Sequence, residues 1–427
     1  MTSPPAQPTT LRRELGKWDL TALGVNQVIG GAIFLMPAIL AGYVGGWSWI
    51  ALGLVGVLAL LIALCFAEAG SRFDGTGGPY LYTREAFGRF AGFEIGWMLW
   101  VTRVTSWASI LNGLVTALGY YWPRTTTGAA RIALITFVVL AITGINLRGI
   151  KTSAIVVNTL TIGKLLPLTI FIIVGLPFVS WSALVPAQSV DATQGAAAAL
   201  YIIFAFGGFE VLSVPAGEAR NPKRDVPFAM VTTILIVGVV MMLVQIVAMG
   251  TLPGVVASRT PLADAAVIFL GGAGALLLTV GATISMTGNN LGGAIAGSRV
   301  LYALAEQGDL PKPFAGVHPR YRTPYFTIVF TSVATLVLAL TGSFATLAQT
   351  SGVARLLVYA GTCAAVLVLR RQGRAPFTIP GGPVIPAMAV VLSLAILYGI
   401  TALQFRVGLG ALVAGAVLYA IARRRHS

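Results

Sequence analysis

The chain is a near-continuous succession of apolar runs, each about 17 to 25 residues long and lacking period-two alternation, separated by short polar or Gly/Pro-marked connectors. Such a run matches the length an α-helix needs to cross ~30 Å of hydrocarbon at ~1.5 Å per residue. Hydrophobic residues make up 57% of the chain and charged residues only 10%. Polar groups therefore cannot cover its surface, and lipid must act as solvent. Backbone amides in lipid are satisfied only within helices or a closed barrel, and the missing alternation excludes the barrel. Spans are expected near 19–43, 47–70, 91–120, 130–146, 153–177, 195–217, 227–250, 264–300, 325–341, 345–369, 384–403 and 407–422. The expected fold class is all-α integral membrane, with twelve transmembrane helices in one membrane domain. The third and eighth runs exceed a simple crossing, which predicts strongly tilted helices continuing past the membrane face.

A formal net charge of +15 raises the question of a nucleic-acid partner. The positions of the cations answer it. With the N-terminus inside, the loop cations other than Arg124, Arg131, Arg259 and Arg406 fall on the cytoplasmic side, and Arg103, Lys164 and Arg355 fall within spans. This positive-inside bias predicts an inner-membrane protein with both termini cytoplasmic, its basic loops facing anionic headgroups, and no nucleic-acid partner. Cys65 and Cys363 lie in apolar runs and read as small buried hydrophobes. His318 and His426 are isolated, so neither a metal site nor a cofactor is expected. The apolar run after Arg12, Arg13 and Lys17 is too long for a cleaved signal and reads as a retained span.

Two spans carry the same defect near their centres. The first reads Asn26-Gln27-Val28-Ile29-Gly30-Gly31-Ala32-Ile33-Phe34 and is followed by Pro37; the sixth reads Phe204-Ala205-Phe206-Gly207-Gly208-Phe209-Glu210 and is followed by Pro215. A helix-interior glycine costs up to ~1 kcal/mol against alanine. Either pair alone fits close helix packing as well as unwinding. At corresponding positions five spans apart, they fit inverted repeats with discontinuous helices, because an odd number of spans inverts the second copy. An unwound break exposes amides at one half-helix and carbonyls at the other, suiting a solute that carries both charges.

These residues resemble the amino acid/polyamine/organocation superfamily, in particular its bacterial amino acid permeases. Val28 to Phe34, V-I-G-G-A-I-F, is similar to the family's V-I-G-S-G-I-F, and Phe204 to Glu210 to its sixth-span signature. Glu218 to Pro227, E-A-R-N-P-K-R-D-V-P, is similar to its E-x-x-N-P-x-R-x-x-P loop. The stretch Glu68 to Gly88, with G-G-P-Y at Gly77 to Tyr80, and the stretch from Gly308 to Pro324 resemble family loops. The resemblance implies a five-plus-five inverted repeat (LeuT-like) working by alternating access: a tail at 1–18, a ten-helix core at 19–370, and two further helices with a basic tail at 371–427. It also implies that a substrate carboxylate meets Gly30, Gly31 and Ala32 while its amine meets the backbone of Phe204, Ala205 and Gly207, with Phe204 and Phe206 as gating aromatics. Gly31 stands where the family has Ser, and Ala32 where it has a second Gly, which leaves decarboxylated amines or unusual substrates open.

An ionisable group at bilayer depth costs at least ~2.5 kcal/mol, so each is a functional hypothesis. Lys164 resembles the lysine whose ammonium takes the place of sodium in sodium-independent relatives. It reads either as a proton carrier or as a charged strut joining the first and eighth spans. Glu210 reads as a proton-linked switch or as a structural carboxylate. Arg103 and Arg355 can pair with a carboxylate or a substrate, or reach a water-filled vestibule, and no role is assigned to either. In the eighth span Ser285, Thr287, Asn289 and Asn290 form a polar cluster that is either the substrate's side-chain pocket or polar glue between helices.

A channel would need a repeated filter, and an enzyme would need a nucleophile and base, paired carboxylates or metal ligands. The sequence carries neither. A transporter is what remains; the resemblance implies amino acids or related amines as substrates and sodium independence, and Lys164 and Glu210 together suggest proton coupling, with substrate exchange as the alternative.

Overall fold

The computed structural model describes residues 16–73, 78–148, 154–187, 189–213 and 219–424. The N-terminal tail, Gly77 of the G-G-P-Y stretch, Pro215, Glu218 of the loop motif, and His426 lie outside the described residues. The described residues are helical, with no β-strand. In chain order the helices are α1 (Lys17–Val28), α2 (Ala32–Val44), α3 (Ser48–Ser71), α4 (Pro79–Phe87), α5 (Arg89–Leu118), α6 (Gly128–Arg148) and α7 (Ala154–Gly175). They continue as α8 (Ala192–Phe206), α9 (Pro222–Thr251), α10 (Pro261–Glu306), α11 (Tyr325–Thr341), α12 (Phe344–Leu369), α13 (Val384–Ile396) and α14 (Ala402–Arg424).

Among the described residues, helix lies over part or all of each apolar run read from the sequence, residues 153 and 214–217 of two runs falling outside them, and α4 is an addition in a stretch expected to be loop. Among the described residues seven stretches are long and apolar enough to cross a bilayer, and α8, α11 and the α13 region are shorter apolar helices. Outer helices keep apolar side chains exposed: Phe137 and Leu140 on α6, Val413 and Val417 on α14. Water would not tolerate such surfaces at this density, whereas acyl chains solvate them.

Glycines set the spacing of the inner helices. A Cβ at Gly297 of α10 would come 3.4 Å from the Cβ of Arg103 on α5, and one at Gly293 would come 3.7 Å from the Cβ of Trp107. Gly281 lies against Pro167 of α7, where a Cβ would sit 2.8 Å from the ring. A Cβ on Gly352 of α12 would stand 2.8 Å from the Leu200 carbonyl oxygen of α8. The approaches at Gly281 and Gly352 leave no room for a side chain, whereas a Cβ at Gly293 or Gly297 would make ordinary contact with α5. As a result α5, α7, α10 and α12 crowd around the breaks in the first and sixth spans.

One expectation is corrected. The eighth span is not a single tilted rod, because Gly271 has φ 64° and ψ −159°, a conformation foreign to a helix, and divides α10 into unequal lengths. The third span is continuous as α5, over 30 residues.

Candidate functional site

Both glycine pairs interrupt their helices. α1 ends at Val28, Ile29 turns away with ψ 87°, and α2 restarts at Ala32 with no side chain capping its N-terminus. The first amides of α2 thus have no intrahelical partner. α8 ends at Phe206; Gly207 is extended, Gly208 has φ 131°, and a 3-10 turn follows over Phe209–Ser213. Only glycine adopts that φ without strain. A Cβ on Gly208 would also come 2.7 Å from the Gln27 carbonyl oxygen, so the two breaks meet backbone to backbone.

The carbonyls that end α1 are taken by neighbours. The Lys164 ammonium, 1% exposed, donates to the Asn26 and Ile29 carbonyls, both at 2.9 Å. Ser285 donates to Ile29 and Gly30 at 3.2 Å, and the Asn289 amide to Gln27 at 2.9 Å. The Gly281–Pro167 contact explains the convergence: it draws α7 onto α10, and Ser285 lies one turn beyond Gly281. No carboxylate reaches Lys164 among the described residues. Lys164 and the polar face of α10 therefore close the first break together.

Charge gathers at the second break. Glu210 accepts from Arg103 Nη2 at 3.1 Å and from Arg355 Nη1 on the same oxygen, while its other oxygen accepts from the Gly208 amide at 2.8 Å and the Tyr359 hydroxyl at 3.0 Å. Arg355 also donates to Ser106 at 3.2 Å. Phe66, Phe209 and Tyr359 pack against one another with centroids 5.4 to 5.5 Å apart and screen the network from the far side. Arg103 and Arg355, given no role from sequence, are thus the partners of Glu210, at 7% and 3% exposure. The arginines, Ser106 and Tyr359 lie more than 100 residues from Glu210 in sequence, a separation that helical periodicity cannot bridge.

A small cavity of about 30 Å³ opens between the breaks. Gly30, Gly31 and Ala32 line one side, Phe204, Ala205 and Gly207 the other, and Asn289 a third. The amide-bearing start of α2 and the carbonyl-bearing end of α8 therefore face one space. Phe206 does not line it. Two residues after Phe204, a helix has turned ~200°, and the Phe206 ring instead packs where Gly56 of α3 and Gly238 of α9 leave room. Asn290, fully buried, is likewise absent from the wall. Phe204 faces the cavity and stands edge-on to Phe344, centroids 6.1 Å apart.

Arg103, Ser106, Trp107 and Ile110 of α5, with Gln27, Val28, Gly293 and Arg355, complete the lining and were not anticipated from sequence as site residues. Their signal was legible: positions 103, 106, 107 and 110 follow the i, i+3, i+4, i+7 spacing of one helix face starting from a charge at membrane depth. Among the described residues no cluster of His, Cys, Asp and Glu could hold a metal ion.

Residues 15–421 match the amino acid permease family. The chain is 30% identical to a methylthioribose transporter of Bacillus subtilis, over 98% of this chain and 95% of that protein. It is also 30% identical to a branched-chain amino acid permease of the same organism, over 98% and 94%, and 28% identical to its serine/threonine exchanger, over 91% of each. These relatives are named transporters, not enzymes. With its broken helices, its central cavity and a match across nearly its whole length, the chain belongs to the amino acid permease family.

Proposed function

We propose that this protein is a secondary active transporter that carries amino acids across the cytoplasmic membrane by alternating access. The observation that carries this reading is that half-helix ends of opposite polarity face one cavity. The amides that open α2, at Gly31 and Ala32 with Gly30 beside them, receive a carboxylate. The carbonyls that end α8, around Phe204, Ala205 and Gly207, receive an amine. Asn289 contributes to the wall and Phe204 acts as the gating aromatic. In this reading Phe206 and Asn290 support the site from behind. The twelve apolar runs are twelve crossings with both termini cytoplasmic, the first ten forming two inverted repeats of five.

Transport is sodium-independent in this proposal because the Lys164 ammonium already occupies the carbonyls of Asn26 and Ile29 that would otherwise suit a bound cation. Proton coupling runs through Lys164. It makes two hydrogen bonds, and a neutral amine retains two N–H donors, so the contacts survive release of the third proton. Glu210 acts as a fixed counter-ion, since neutralising it would strand two buried guanidiniums. Exchange is the second reading, favoured by the similarity to a serine/threonine exchanger.

Reconstitution into proteoliposomes tests these statements. Saturable uptake of a labelled amino acid that responds to an imposed pH gradient, and is unchanged when choline replaces sodium, is the expected result. Uptake that ignores the gradient and requires internal substrate would establish exchange. Conductance without saturation would overturn carrier transport altogether.

A further inference from the structure

The cavity wall carries an unbalanced charge. Arg103 and Arg355 both line it and both pair with the same oxygen of Glu210, whose second oxygen is occupied by the Gly208 amide and the Tyr359 hydroxyl. One carboxylate cannot neutralise two guanidiniums, and among the described residues no other acid lines the cavity. A positive charge left without a counter-ion at this depth is costly, so the site is electrostatically incomplete without an anion.

The unmatched hydrogen-bonding groups of the wall are also of one kind. Arg103 Nε, Arg355 Nε and Trp107 Nε1 are buried and have no partner, and all three are donors. Arg103 gives Glu210 a single nitrogen, which leaves most of its five-donor fork unused. Arg355 is further committed, to Tyr359 and Ser106, and its guanidinium lies directly over the backbone at Gly207. A wall with surplus donors and surplus positive charge calls for a solute with surplus acceptors and negative charge.

We infer that the cavity selects acidic amino acids, with Arg103 as the specificity-determining residue that reads the side-chain carboxylate through the open part of its fork. The inference rests on the transport reading above and names its substrate class. A neutral zwitterion pairs its two charges with the two helix ends and leaves the wall positive. A basic amino acid or polyamine adds a further cation to a wall already in excess. An acidic amino acid satisfies both helix ends and supplies the missing anion, and a carboxylate matches a guanidinium edge in bidentate fashion.

The test is competition in proteoliposomes containing the full chain, with glutamate and aspartate set against leucine and serine and against arginine and putrescine, each with chloride and with gluconate as the bulk anion. Acidic amino acids should compete at least about ten-fold more strongly than neutral ones, the equivalent of ~1.4 kcal/mol, and cations should not compete. Preference for a neutral or cationic solute would overturn the inference, as would uptake of neutral amino acids that depends on chloride, because chloride would then be the missing anion. Absence of saturable flux for all three classes would instead overturn the transport reading. Arg103→Gln, checked for folding by its thermal transition in detergent, should lose the acidic preference, read as the ratio of glutamate to leucine inhibition, and Arg103→Lys should restore part of it. If Arg103→Gln retains the preference, Arg103 is not the reader. Should that variant not fold, the wild-type competition decides the substrate class and Arg103→Lys decides the residue.

Discussion

The two breaks share a sequence sign and differ in what holds them. The first is held by single side chains that reach its carbonyls from two neighbouring helices: Lys164 of α7, and Ser285 and Asn289 of α10. Lys164 and Ser285 share the Ile29 carbonyl, and the loss of one donor leaves the others in place. The second is held by one connected network in which Glu210 ties α5, α12, the Gly208 amide and the Tyr359 hydroxyl to a single carboxylate. Its parts share one centre, because removing the Glu210 carboxylate leaves two buried guanidiniums unpaired at once. Interruptions that look alike in sequence can thus be an adjustable contact in one place and a rigid anchor in another.

Substitutions can break or sharpen this contrast. The largest effect is expected for Glu210→Gln, which leaves Arg103 and Arg355 without their carboxylate and should lower stability by about 3–5 kcal/mol, read as a fall in the denaturation midpoint in detergent. A variant as stable as wild type would show that the network is not the anchor. Gly208→Ala comes next. It forces a side chain into φ 131° and against the backbone at Gln27, and should cost about 1–3 kcal/mol and reduce transport to background. Lys164→Ala should cost about 1–3 kcal/mol, since the Asn26 carbonyl loses its side-chain donor and the Ile29 carbonyl keeps only Ser285, and should also abolish the response to a pH gradient. A lysine serving only as a strut would lower stability and leave that response intact. The smallest effect is expected for Gly31→Ser. Its Cβ would meet the flexible Met286 side chain at 3.2 and 3.3 Å, so stability should change by less than about 1 kcal/mol and saturable uptake should persist. Equal damage at Gly31 and Gly208 would remove the distinction between the breaks.

How much of this was legible in sequence depended on the range of the physics involved. The breaks were legible because paired glycines at mid-span act locally, on the backbone of the residues that carry them. Part of the cavity lining followed from them, since Gly30, Gly31, Ala32, Phe204, Ala205 and Gly207 are their immediate neighbours. The choice between Phe204 and Phe206 was not legible, because it depends on how α8 is rotated about its own axis. The joint role of Arg103 and Arg355 was hidden for a different reason: α5 and α12 meet Glu210 only after the bundle has assembled. The division of α10 was written in the chain as Gly271-Gly272, a pair of the same kind as the two that were read, but inside a run long enough to pass for one tilted helix.

That division at Gly271 has a mechanical consequence. No heavy atom comes within 4 Å of where its Cβ would stand, so the joint is unobstructed. The kink lets the two limbs of this helix find separate partners: the ten residues from Pro261 to Leu270 reach Phe171 and Phe178 through Phe269, while the long remainder keeps Ser285 and Asn289 clasped to the end of α1.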